Sequence, residues 1–268
     1  MSTGPKIAFL VPAVRLSGGI NVVMEHAWNL QRTHGMHVTV VITHHEDDEV
    51  WPFPALAEVE VARLSQLDGR EFDLAIATFW DTVPSLWRVP AKRHAYFVQS
   101  LEDRFYEPDA MEASLARLTY MLGLPVITEA RWIYDTLAVL TPQSQRFYAR
   151  NGVAKSIFGP IPETPPQHEG PLRILLEATD AWYKGLDDSL ETLRRMECDK
   201  IVTAVTSTGL DAARLDGVVD VIHEPMPQAE LREVYLEQDV LLKHSRVEGM
   251  YGPPIEAFHS GATVVTTP

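Results

Sequence analysis

Cysteine occurs once in 268 residues, at Cys198, which excludes a disulfide framework within the chain and fits a reducing compartment. Basic side chains are scarce: 23 lysines and arginines stand against 37 acids, a formal charge of −14. A field of that sign excludes nucleic-acid binding through overall charge. An anionic ligand needs a local cradle of backbone N–H groups or a few placed cations. Long apolar runs are missing as well. The run at 7–14 is interrupted by Pro12 and closed by Arg15, too short for a secretory signal with its flanks. No stretch approaches the ~20 apolar residues of a spanning helix. The expected setting is the cytoplasm, any contact with the inner membrane face being peripheral, since no basic amphipathic helix argues for more. Metal-ligand spacing is absent among the ten histidines. His44-His45 precedes Glu46-Asp47-Asp48, but neighbours on a strand point to opposite faces, and the stretch reads as a solvated loop. Cys198 has no histidine partner nearby, and neither a G-x-S-x-G elbow nor an acidic D-x-D strand end occurs, so no metal or cofactor is expected.

What is present is a packed globular composition, 46% hydrophobic and 22% charged. Residues 6–12 form a continuous apolar run, as in a strand buried on both faces. Gly18-Gly19 follows, then apolar residues at helical spacing (Ile20, Val23, Met24, Ala27, Leu30) up to Gly35, then a strand pattern at 37–43. Strands at 73–78, 94–98 and 125–128 alternate with helical pieces at 83–87, 111–122 and 131–139. A second alternating set has strands at 172–176, 200–205, 218–222, 240–242 and 262–266, with helices at 185–196, 228–236 and 254–259. Alternation of this kind means α/β architecture with parallel sheets. Residues 159–170 hold four prolines and two glycines and read as a linker. The expectation is two Rossmann-like doubly wound domains, 1–158 and 171–268. The second is expected to be incomplete, because the chain stops after a buried-looking strand with no helix to cover it.

Two segments carry candidate chemistry. In Arg15-Leu-Ser-Gly-Gly-Ile20, paired glycines allow close backbone approach and a helix N-terminus offers N–H groups to an anion. The spacing matches neither G-x-G-x-x-G nor the P-loop, and a plain tight turn stays open. In Ser245-Arg-Val-Glu248-Gly249-Met-Tyr-Gly252-Pro-Pro-Ile-Glu256, two prolines suit a helix start, and Gly249 and Gly252 keep the preceding segment a loop. Glu248 is then placed on a loop and Glu256 about one turn into a helix, at the strand edge where open α/β sheets bind ligands. Carboxylates there grip sugar hydroxyls while the helix N-terminus faces phosphate.

The Glu248–Glu256 pair resembles the E-x7-E motif of retaining glycosyltransferases of the GT-B fold, family 4, and Ala257-Phe-His-Ser-Gly261 resembles its continuation. Gly18-Gly19 stands where that family has its glycine loop. Asn151-Gly152-Val153 resembles the segment closing its first domain, and Tyr183-Lys184-Gly185 its "KG" after the first strand of the second. The resemblance spans essentially the whole chain, and the family normally continues beyond this chain's end. It implies sugar transfer from a nucleotide-diphosphate donor to an acceptor hydroxyl with retention, without a metal, in polysaccharide or glycoconjugate synthesis. The sugar moved would be a hexosyl or deoxyhexosyl unit, and the acceptor a saccharide or glycolipid. By the same resemblance Glu256 would bind the donor ribose, Glu248 the donor sugar, and backbone around Gly249, Met250, Tyr251 and Gly252 the sugar or phosphate. Lys184 would neutralise the leaving diphosphate, which Gly18 and Gly19 would approach from the first domain.

The chain departs from the family in two places. An arginine usual five residues before the lysine is Thr179 here, and Lys243 and Arg246 are the candidate substitutes. A histidine usual after a middle strand is absent from Tyr96-Phe-Val-Gln-Ser-Leu-Glu102, leaving Gln99 or Glu102 for a polar acceptor role. Trp80, Trp87, Tyr96, Phe97, Phe105 and Tyr106 line either an acceptor cleft or the core. A non-catalytic nucleotide-sugar sensor or scaffold, favoured by Thr179 and the absent histidine, stays open beside the enzyme. A GT-B epimerase or phosphorylase lacks a visible signature.

Overall fold

The computed structural model describes residues 4–160, 169–206 and 210–267. The chain divides into two compact units, Met1–Asn151 and Gly152–Pro268, each carrying one all-parallel sheet.

The first unit runs β1 (Lys6–Val11), α1 (Gly18–His34), β2 (His37–Ile42), β3 (Glu60–Arg63), β4 (Leu74–Ala77), β5 (His94–Val98), α2 (Met111–Tyr120), β6 (Val126–Thr128), α3 (Arg131–Leu140) and β7 (Arg146–Tyr148). The strand order is β3-β2-β1-β4-β5-β6-β7. Alternation along β1 splits its side chains between two cores. Ile7, Phe9 and Val11 pack with Val23, Met24 and Ala27 of α1, while Ala8 and Leu10 join Tyr120, Ile133 and Leu137 beneath the other face. The Ser17 hydroxyl caps α1 by accepting from the Ile20 N–H at 3.2 Å, and Gly35, at φ 63°, ends it in the left-handed conformation.

The second unit runs α4 (Lys155–Phe158), β8 (Leu172–Ala178), α5 (Leu186–Arg195), β9 (Lys200–Thr206), β10 (Val221–His223), α6 (Gln228–Leu236), β11 (Val240–Lys243), α7 (Gly252–His259) and β12 (Thr263–Thr266), ordered β10-β9-β8-β11-β12. Ile174, Leu176 and Ala178 pack with Leu186, Leu190 and Leu193 of α5. Leu175 faces the opposite layer with Val234, Tyr235 and Ala257. In both sheets the strand order reverses beside the first strand, between β1 and β4 and between β8 and β11. Such switch points open a crevice at the carboxyl ends of the strands.

Three expectations are corrected. The units divide after Asn151 rather than at 158, because Phe158 of α4 is fully buried in the second unit's core against Tyr235. Residues 161–168 of the expected linker lie outside the described residues. Gly252 is the first residue of α7 rather than part of the preceding loop, since the two prolines that follow fit its first turn. The strand expected at 218–222 is β10, at Val221–His223. Val218 and Val219 instead pack against the core after a 3-10 turn. Among the described residues no helix is long and apolar enough to cross a membrane.

Candidate functional site

The switch point of the second sheet collects four charged side chains of alternating sign. Glu177 is the penultimate residue of β8 and Lys243 the last of the neighbouring β11. Lys243, whose side chain is only 2% exposed, pairs with Glu177 and, at 3.1 Å, with Glu248 in the loop after β11. From the 3-10 turn after β8 (Trp182–Lys184), Lys184 donates to both Glu248 carboxylate oxygens at 2.9 Å. The sequence thus folds two loops against one another, and Gly185 permits it. This residue sits at φ 67°, and a Cβ there would lie 2.1 Å from the His244 backbone oxygen. The Arg246 N–H closes the same contact by donating to the Tyr183 carbonyl at 2.7 Å.

Glu256 lies one turn into α7, where Gln228 Nε2 donates to one carboxylate oxygen at 2.9 Å and the Tyr235 hydroxyl to the other at 3.3 Å. Burial pushes its pKa up to about 7; the two hydrogen bonds oppose that rise, and the Glu177 charge adds to it. Burial pushes Glu177 the same way, but the Lys243 and Lys184 ammoniums hold it at about 2. For Lys243, burial favours the neutral amine, and the Glu177 and Glu248 carboxylates outweigh it, raising the ammonium above its usual value. The arrangement can offer the Lys184 ammonium to an anionic group and carboxylates to hydroxyls, with Lys243 buried beneath. Lys184, 24% exposed at its side chain, stands nearer solvent than Lys243.

No protein-family model matches the chain, and no curated protein matches it in sequence. Solved structures do. Sucrose-phosphate synthase from Thermosynechococcus elongatus superposes with a TM-score of 0.75 at 14% identity, over 98% of this chain and 81% of that one. The pneumococcal O-GlcNAc transferase GtfA, in complex with UDP and GlcNAc, gives 0.70 at 10% identity over 98% and 84%. Anabaena HepE, in complex with UDP and glucose, gives 0.68 at 13% over 98% and 80%. The chain has the GT-B fold.

Within this GT-B chain, the sequence-designated residues fare differently. Lys184, Lys243 and Glu248 come together, with Glu256 close enough to Lys243 and Glu177 to feel their charges. The Tyr251 hydroxyl donates to the Ser245 carbonyl at 3.3 Å, and its ring lies 6.0 Å from Lys243 Nζ. Gly249 and Met250 stand in the same loop, and the Gly252 N–H is taken by the Met250 carbonyl at 2.9 Å, with open space over its Cα. Arg246 does not join the cluster. Its guanidinium donates to the Trp182 carbonyl at 3.0 Å and to Asp188, so it clamps the turn before α5. In the first unit, Gly18 faces open space, and Gly19 abuts the Gln99 amide, which donates to the Thr78 carbonyl at 3.4 Å.

Glu102 is a correction. At 1% exposure, it accepts from the Trp80 N–H at 2.6 Å and the Tyr96 hydroxyl at 2.7 Å, and burial holds its carboxyl well above the ordinary range. It braces the turn after β4 and is not presented to a ligand. Glu177, Gln228 and Tyr235 were not singled out in the sequence. For Glu177 a signal exists: one acid at the end of an otherwise apolar strand, Leu172-Arg-Ile-Leu-Leu-Glu-Ala178, needs a partner if that strand is buried.

Proposed function

We propose that this chain transfers a hexosyl or deoxyhexosyl unit from a nucleotide-diphosphate sugar to an acceptor hydroxyl, with retention and without a metal, in polysaccharide or glycoconjugate synthesis. One observation carries the reading: Lys184, Glu248 and Lys243 meet at the switch point beside Glu256, on a fold whose solved neighbours include enzymes bound to UDP. Breaking a glycosyl–phosphate bond develops negative charge on the departing diphosphate. Lys184 is the cation placed to stabilise it, assisted by the N-terminus of α7. Donor arrival exchanges the Lys184–Glu248 pair for a Lys184–phosphate pair and frees Glu248 to accept hydroxyls of the donor sugar, while Lys243 holds Glu248 in place from beneath. Glu256 accepts the ribose hydroxyls. The leaving phosphate takes the proton of the incoming acceptor hydroxyl, so no protein nucleophile is required.

The test is product stereochemistry. With the sugar nucleotide that the protein hydrolyses or transfers, proton NMR should show an α product from an α-linked donor, undiminished by EDTA. Lys184→Ala should lower turnover by about 10²–10³, the size of one lost charge-stabilising donor. An inverted product, or turnover abolished by EDTA, contradicts the reading. Nucleotide binding without any turnover would favour the sensor.

A further inference from the structure

Helix α2 is apolar on both of its sides. Ala113, Ala116, Thr119 and Tyr120 are buried, Tyr120 within the first unit's core. On the outward side Met111, Leu115 and Leu118, with Leu122 in the turn that ends the helix, stand in one row, Met111 73% and Leu118 60% exposed. A helix with one face in a core ordinarily turns polar residues to water. The 3-10 helix Trp80–Arg88 lies alongside. Its Trp80 and Pro84 join Leu115, Leu118, Thr119 and Leu122 around an apolar groove of about 210 Å³. Trp87, one 3-10 turn beyond Pro84, continues that face and is 58% exposed.

The face is fixed before any partner arrives. The Tyr120 hydroxyl accepts the Glu102 N–H at 2.7 Å, its ring stacks on Tyr96 at 6.1 Å, and Arg117 pairs with Asp103 at 3.0 Å. Asp81, Arg88, Glu112 and Arg117 are the charged residues of the two elements, and they sum to zero in a chain of −14. An anionic bilayer asks for a cluster of lysines and arginines that these two elements lack. Two copies of an acidic chain, by contrast, meet here with little local repulsion. The row is also complementary to itself. Its steps from Met111 to Leu115, Leu118 and Leu122 alternate four, three and four residues, the seam spacing of paired helices, and read the same in both directions. Laid antiparallel on itself about a two-fold axis, the row sets Met111 of one copy against Leu122 of the other, and Leu115 against Leu118. With Met121 and Trp87 it exposes on the order of 600 Å² per copy, the upper end for an apolar patch on a monomer. Two copies would bury about 1,200 Å², the lower end of stable interfaces.

We infer that this face is a homodimer interface, in which two copies pair through antiparallel α2 helices and each 3-10 helix Trp80–Arg88 flanks the seam. The pairing is reversible and about micromolar in strength, because an area at that lower end leaves little surplus over the cost of association. It lies wholly on the first unit and calls on no residue of the proposed donor site, so it stands whether or not the chain is a transferase.

Sedimentation velocity of the whole chain from about 1 to 100 µM provides the test. The mass should rise from one copy to two across that range. Leu118→Glu, at an exposed position, should weaken dimerisation at least tenfold, whereas Val139→Glu, on α3 and 81% exposed, should leave it unchanged. Cross-linking reads the orientation, in a Cys198→Ser background because Cys198 is exposed. Met111→Cys mixed with Leu122→Cys should join as a mixed dimer when diamide oxidises the two thiols to a disulfide, and neither variant alone should cross-link to itself. A chain still monomeric at about 100 µM, dimerisation as strong in Leu118→Glu as in wild type, or cross-linking of like variants would overturn the inference. So would a wild type that stays monomeric in solution and sediments with vesicles of phosphatidylethanolamine and phosphatidylglycerol, a result that would give the face to a membrane.

Discussion

Lys243 stays charged at 2% side-chain exposure because carboxylates flank it on two sides; removing it strands Glu177, while Glu248 keeps its pair with Lys184. Breaking a fully buried pair costs about 3–5 kcal/mol. Glu177, however, keeps 38% of its side-chain surface and can rehydrate, so Lys243→Met should cost about 2 kcal/mol in urea unfolding. The double variant Lys243→Met, Glu177→Gln should recover most of that loss; no recovery would mean that the pair does not set the cost. Glu256 behaves in the opposite way. Its carboxyl titrates at about 7 in the folded chain against an ordinary 4.5, so the folded state holds a proton that the unfolded chain releases. Its stabilising contribution is complete below about pH 4.5 and is lost as the pH climbs to about 7. Between pH 5 and 8, wild type should therefore lose roughly 2–3 kcal/mol more stability than Glu256→Gln. Parallel pH profiles for the two proteins would contradict that assignment.

The turn Trp182–Lys184, its closing Gly185 and the loop after β11 form the element on which the site depends. Gly185→Ala combines a left-handed alanine, itself about 1–2 kcal/mol, with a Cβ 2.1 Å from a backbone oxygen that cannot move independently. Gly217, at φ 72° with open space over its Cα, is the control. Gly217→Ala should lose about 1–2 kcal/mol in denaturant unfolding, whereas Gly185→Ala should lose clearly more and also forfeit nucleotide binding. Most elements were legible because a buried parallel strand is an apolar run and α1 carries its stop at Gly35. The missed strands β3 (Glu-Val-Ala-Arg) and β7 (Arg-Phe-Tyr) are short edges, paired on one side and largely open on the other, so burial never imposed an apolar run on them. The candidate site was half legible. Lys184, Glu248 and Glu256 lie in local motifs, but their partners Glu177, Gln228 and Tyr235 reach them through sheet pairing and helix packing that no short segment encodes.

On the scale of the whole molecule, a chain of formal charge −14 brings two ammoniums, Lys184 and Lys243, together at the second sheet's switch point. Glu177 and Glu248 neutralise them there, and the proposed nucleotide would replace one of those carboxylates. Nucleotide binding there separates a donor site from a purely structural ion-pair cluster. Thermal unfolding of the whole chain with UDP, GDP, ADP and dTDP, for wild type, Lys184→Ala and Glu256→Ala, tests it most directly. A ligand at 100 times its dissociation constant adds about 2.7 kcal/mol to the folded state. At least one nucleotide should stabilise the wild type, and both substitutions should abolish the effect. Stabilisation by none of the four, or stabilisation that survives both substitutions, would contradict a donor site there.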